Sequence, residues 1–297
     1  MEQTIAKRIN EELGINVNVE NVTVTKNNGV VLHGFNIRKD GEMVAPTIYY
    51  EEGWEEDKIV DVVTKGYAEC NKRNDTKKLQ EHFTELFDDL NNIYSNVIPC
   101  VVSRSNAEDL DMRGIIHDSY FDMEIMYRIK IDDLNNTIGT TILSKPMVEH
   151  YDIDMNLIRE HASKNLRDSL VINTMKNTLV EMCERIGKDP SEFDDVSEET
   201  ANYMYMISTQ STYYGASAIM LEDVLKDMHD RLGTDEIYII PSSIHEVIVL
   251  PKVDEDDEQT QYLKELINFI NATEVAPEDR LTDSLYIHRA DGKMTIV

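Results

Sequence analysis

The sequence predicts an α+β protein of two domains, with mixed or antiparallel sheets covered by helices. Three observations predict it. Apolar residues recur at 3,4 spacing in some stretches and alternate with polar ones in others, the periods of amphipathic helices and half-buried strands. Two alternating stretches near the start are joined by Asn27-Asn28-Gly29, the turn chemistry of an antiparallel hairpin. Glycine, proline and acids then cluster from Gly187 to Asp195, the composition of an exposed linker. The implied organisation is an N-terminal α+β domain over 1–187, an acidic linker over 188–200 and a C-terminal α+β domain over 201–297.

The elements follow in order. Ile5, Ile9 and Leu13 make a helical stripe that Gly14 stops, since a residue without Cβ caps a helix most easily in the left-handed region. Val17, Val19, Val22 and Val24 alternate before the turn, and Val31, His33, Phe35 and Ile37 after it; a short strand from Pro46 to Tyr50 comes next. Ile59, Val63, Tyr67 and Cys70, then Leu79, Phe83, Leu86, Leu90 and Ile93, lie on two helical stripes. Strands are expected from Val97 to Ser103 and from Tyr120 to Ile131. In the second, Met123, Ile125, Tyr127 and Ile129 alternate with Glu124, Arg128 and Lys130, so one face should be buried. A strand from Thr140 to Leu143 precedes a helix begun at Lys145-Pro146 and a helical stretch from Leu157 to Ile186, broken near Asp168. Beyond the linker the pattern reads β-β-α-β-α-β. Strands are expected from Tyr203 to Ser208 and from Ser211 to Ala218, and a helix from Met220 to Leu232. A divided strand around Pro241, a helix from Gln259 to Asn271 and a strand from Ser284 to Arg289 complete it, with the two helices on one face of a small sheet.

Composition excludes several classes. With 29 Lys/Arg against 57 Asp/Glu the formal charge is −28, and 23 of the acids but only 7 of the bases lie from Pro190 onward. Affinity for nucleic acid rests on basic side chains that displace counterions, so direct nucleic-acid binding is not expected. An anionic membrane surface is repelled for the same reason, and the apolar runs fall far short of the roughly 20 residues of a membrane-spanning helix. The start lacks the basic-then-apolar order of a secretory signal, and the three cysteines, Cys70, Cys100 and Cys183, suit reduced thiols. Cytoplasmic location is the expectation.

The best local candidate for chemistry is Ser242-Ser243-Ile244-His245-Glu246, where two hydroxyls, an imidazole and a carboxylate fall within one proline-led turn. On a strand Glu246 faces away from His245, so the neighbouring carboxylate cannot orient the ring without a bend. No glycine-flanked nucleophile elbow surrounds either serine. His245-Glu246 also opens like a zinc-protease helix, but the second histidine would fall at Val249. The five consecutive acids from Asp254 to Glu258 lack the order of a calcium loop. No metal site and no cofactor are expected. Tyr213 and Tyr214, beside Gly215, are candidate partner-binding residues, because tyrosine supplies contact area at low entropic cost.

Several patches together resemble an uncharacterised bacterial family, domain of unknown function 5688: Lys26 to Gly34, Ala45 to Tyr49, Asp122-Met123 with Tyr127-Arg128, and Ser242 to Ile248. The resemblance spans nearly the whole chain. It implies a cytoplasmic, mobile-element setting in gut-dwelling anaerobes and supplies no reaction or site residue.

The functional expectation is a non-catalytic binding or regulatory protein with a basic protein partner, the natural complement of so acidic a chain. Two alternatives stay open. One is a hydrolase of undescribed type using the Ser242 to Glu246 turn with a carboxylate from elsewhere in the fold, so whether the chain is an enzyme is left undecided. The other is an acidic mimic of nucleic acid.

Overall fold

Gly14, with φ +60°, closes helix α1 (Glu2–Leu13) and turns the chain into the hairpin of β1 (Val17–Thr25) and β2 (Val31–Lys39). The computed structural model describes residues 2–14, 17–42, 45–73, 75–134, 137–193, 197, 201, 203–253 and 258–297. The hairpin is in register from Val17↔Lys39 to Thr25↔Val31, and its turn places Asn28 and Gly29 at positive φ, as the Asn-Asn-Gly sequence predicts. Strand β3 (Thr47–Tyr50) adds antiparallel to β2. Helix α2 (Glu56–Arg73) packs on β3 and α1, burying Val63 and Tyr67 with Ile9, Phe35 and Ile37. Helices α3 (Asp75–Asp88) and α4 (Leu90–Asn96) follow.

Contacts divide the chain into two compact units: Met1–Ile93 with Lys130–Thr141, and Tyr94–Ile129 with Ile142–Val297. The boundary expected at 188–200 falls inside the second unit. There, β4 (Val97–Ser103), a helical turn with α5 (Ala107–Met112), β5 (His117–Tyr120) and the start of β6 (Met123–Leu134) build a sheet of order β4-β6-β5, in which β7 (Thr137–Ile142) also pairs with β6. The expected strand from Tyr120 is two strands around the tight turn at Phe121 and Asp122, where Phe121 has φ +52°. Its burial also differs from expectation. Met126 packs with Cys100, Leu110 and Ile115 on one side, while Met123, Ile125 and Tyr127 are buried on the other, so both faces of its first half are covered.

Helix α6 (Lys145–Tyr151) carries Pro146 in its first turn, and α7 (Met155–Ser169) is capped by the Asp154 carboxylate, which accepts the Asn156 N–H at 2.8 Å. The expected break near Asp168 is a strand, β8 (Leu170–Thr174), whose Val171, Ile172 and Thr174 are β-branched; Thr174 then caps α8 (Met175–Arg185). Strand β8 pairs antiparallel with β9 (Tyr205–Thr209), so strand pairing joins the two sides of the acidic segment. Residues 194–196 and 198–200 of that segment, and 254–257 of the five-acid run, lie outside the described residues.

Six antiparallel strands form the main sheet in the order β13-β12-β10-β11-β9-β8, with β10 (Glu236–Pro241), β11 (Val247–Pro251), β12 (Tyr286–Arg289) and β13 (Met294–Ile296). Helix α9 (Glu222–Leu232), ended by Gly233 at φ +65°, packs on β10 and β11. Helix α10 (Glu258–Thr273) sets Leu263 and Ile267 against Tyr238, Leu250 and Leu285. Alternate residues Ile237, Ile239 and Val249 are buried on the opposite face. The sheet centre is therefore covered on both sides, not on one.

The stretch from Ser211 to Ala218 is not the strand its pattern predicts. Thr212 and Tyr214 have φ +62° and +60°, and Gly215–Met220 is a short 3-10 helix with Gly215, Ala216, Ser217, Ala218 and Ile219 buried. The residues are small because the helix sits against backbone. Ser217 Oγ accepts the Val101 N–H at 3.1 Å and donates to the Pro99 carbonyl at 3.1 Å, replacing a neighbouring strand at the edge of β4.

Candidate functional site

The connection from β10 to β11, Ser242 to Glu246, is where the separate sequence candidates meet. The Ser243 hydroxyl accepts the His245 N–H at 2.9 Å and donates to Glu246 Oε1 at 2.7 Å, which folds the five residues back on themselves. Ser242 lies beside this pair, half-buried. The Ile244 N–H binds the Asp279 carbonyl at 2.9 Å and brings the Asp279 carboxylate to 3.3 Å from His245 Nε2. Glu246 is therefore occupied by serine, and the acid facing the ring comes from a loop 34 residues on.

The other side of the ring is met by Tyr213 and Tyr214. The Tyr214 N–H donates to His245 Nδ1 at 3.3 Å, the Tyr213 ring meets the imidazole edge-on at 5.4 Å, and Tyr214 is tilted against it at 6.0 Å. The Arg128 guanidinium lies over Tyr214 at 5.2 Å. Since Nδ1 accepts, the ring's proton is on Nε2, directed at Asp279. Both nitrogens are thereby taken. The seat is tight: the His245 carbonyl accepts the Ser208 hydroxyl at 3.0 Å, and a Cβ on Gly215 would lie 2.5 Å from that carbonyl oxygen.

This geometry differs from a nucleophile with its base. The hydroxyl of Ser243 gives its hydrogen to a carboxylate, and the imidazole accepts from backbone. What results is a fixed aromatic surface of Tyr213, Tyr214 and His245 with Arg128 and Asp279 beside it. Tyr213 is 37% exposed and His245 22%.

Three polar clusters escaped sequence reasoning. Glu124 on β6, 1% exposed, faces Arg104 Nε at 3.1 Å, the Ser119 hydroxyl at 3.1 Å and His117 Nδ1 at 2.9 Å. Its neighbour Asp118 accepts both arms of Arg159 at 2.9 Å and the Tyr127 hydroxyl, and the Arg159 pairing holds its carboxyl below the usual range against some burial. In the hairpin turn, Asp122 accepts hydroxyls from Thr282, Ser284 and Tyr286. Burial opposes its ionisation, and the three hydrogen bonds still keep it below the usual range. Burial, then the bond to Asp122, pushes the Tyr286 phenol up. Burial also pushes the Cys100 thiol up to about 12, which makes it an inert core residue. The third cluster is a buried line: His229 Nδ1 lies 2.8 Å from the Thr234 carbonyl, His229 Nε2 2.9 Å from His288 Nδ1, and His288 Nε2 3.1 Å from Glu222. The signal missed is pairing across 59 residues, to which no local spacing points.

Among the described residues no group of three or more His, Cys, Asp or Glu side chains is placed to hold a metal ion, and no helix is long and apolar enough to cross a membrane. The fold and this turn define an α+β protein with antiparallel sheets and a closed aromatic–polar surface on the main sheet's β10–β11 connection. The chain belongs to the family of unknown function DUF5688, whose model matches residues 2–290. No curated protein and no solved structure matches it.

Proposed function

We propose that this chain is a non-catalytic binding or regulatory protein of the bacterial cytoplasm, associated with mobile elements, that meets a basic protein partner through the surface of Tyr213, Tyr214 and His245. One observation carries the reading: both nitrogens of His245 are engaged, by the Tyr214 N–H and by Asp279, so the ring serves as a rigid contact and not as a base for either serine. Asp279 at the rim and the acidic surroundings favour a cationic partner. Hydrolysis at this turn would require the ring to leave Tyr214 or Asp279. The nucleic-acid mimic draws less support, because arginines cover several carboxylates, as in Arg167 with Asp223 and Arg289 with Glu236.

The test is affinity purification of the tagged protein from its host at physiological salt. The expected result is a reproducible basic protein, released at high salt and weakened about tenfold or more by Tyr213→Ala or His245→Ala with the melting temperature nearly unchanged. A turnover that disappears in Ser243→Ala would overturn the reading in favour of the hydrolase.

A further inference from the structure

Helix α10 carries two apolar stripes, and the fold uses one. Thr260, Leu263, Ile267 and Asn271 are buried, the first three against the sheet and Asn271 on the loop at Thr282 and Asp283. Gln259, Tyr262, Leu266, Phe269 and Thr273 repeat at the same 3,4 spacing about 100° around the helix. On this second stripe Tyr262 is 64% and Phe269 62% exposed, with Ile270 beside them at 37%. Gln259 extends it: its side chain binds the Tyr203 hydroxyl at 3.2 Å and the Val253 N–H at 3.4 Å, and Val253 is itself 61% exposed. Tyr262 and Phe269, with the half-buried Leu266 between them, gather large apolar groups along two helical turns, about 10 Å.

The charge around the stripe selects its occupant. Across the described residues from Glu258 to Arg280 the chain has five Asp/Glu against Lys264 and Arg280. A second copy would bring the same acids to the contact and be repelled; an amphipathic helix with Lys or Arg flanking its apolar face would be drawn in. We infer that the outer face of α10 docks a basic amphipathic helix of a partner protein, Tyr262 and Phe269 being the anchors. The inference rests on the reading of the chain as a binder of a basic protein, yet uses a surface other than Tyr213 and His245, so the two fail separately.

The probe is a synthetic helix of about 18 leucines and lysines with its leucines on one face, compared by fluorescence anisotropy with a shuffled peptide of identical composition in about 0.15 M salt. The patterned peptide should bind the full chain roughly tenfold more tightly than the shuffled one. Phe269→Asp should remove that advantage even though it adds a negative charge, and Tyr262→Ser should weaken it; both positions are exposed, and circular dichroism checks that the fold is kept. Tyr213→Ala should leave it unchanged. Equal binding of the two peptides, or an advantage that survives Phe269→Asp, overturns the inference. A dimer in analytical ultracentrifugation that Phe269→Asp dissolves would assign the stripe to a second copy and overturn it as well.

Discussion

His245 is fixed by contacts that begin at distant points in the chain, and Gly215 is what lets them close. A Cβ there would meet the Ser208 Cα and the His245 carbonyl oxygen, each at 2.5 Å, and both belong to backbone that cannot swing aside. Gly215→Ala should therefore cost about 3 kcal/mol or more in urea unfolding, at the upper end of overpacking, and release the aromatic surface with it. A variant with unchanged stability would mean that the 3-10 helix shifts freely. The sequence showed Gly215 beside two tyrosines that were candidates for contact with a partner. The backbone that Gly215 admits is the protein's own. Ser243 and Glu246 were legible as neighbours, whereas the Asp279 that faces the ring was not, because a loop contact leaves no periodic trace.

At the level of elements, period was a good guide wherever one face of a segment is buried: the α1 stripe, the first hairpin and α9 all lie where Ile5, Val17 and Leu225 imply. It misled where both faces are buried or where backbone contact replaces side-chain packing. The helical reading of 157–186 missed β8, whose five residues are all half-buried and carry no alternation. The strand expected from Ser211 is a 3-10 helix because Ser217 makes the hydrogen bonds of a strand with a single hydroxyl. The β5–β6 hairpin shows what such polar contacts contribute. Its turn carboxylate Asp122 is held by three hydroxyls from the segment 282–286, and both Asp118 and Asp122 have folded-state pKa values below the ordinary range. The stabilisation is present above the unfolded carboxylate value of about 3.9 and lost as pH falls through the lower folded values. Urea midpoints should thus drop as pH falls below about 4, and less steeply in Asp122→Asn. Parallel slopes for the two proteins would show that Asp122 is not part of the acid response.

For the whole molecule, charge was the most readable property and the least informative about shape. The family assignment over residues 2–290 matches the resemblance drawn from short sequence patches, while the compact units divide at 93, 129 and 141, far from the acidic segment. Composition marks exposed chain; it does not mark where contacts stop, and β8 pairs with β9 across that segment. The buried line from Thr234 through His229 and His288 to Glu222 has a consequence for the folded state as a whole. His288, on β12, contacts both the first residue of α9, Glu222, and its last turn at His229, while His229 also meets Thr234 just past the helix end. His288→Ala should therefore cost about 2 kcal/mol in urea unfolding by leaving polar partners unpaired, and an unchanged midpoint would show that the line carries no stability. One interior side chain thus fastens a helix at both of its ends, so that neither end can fray without loosening the anchor of the other.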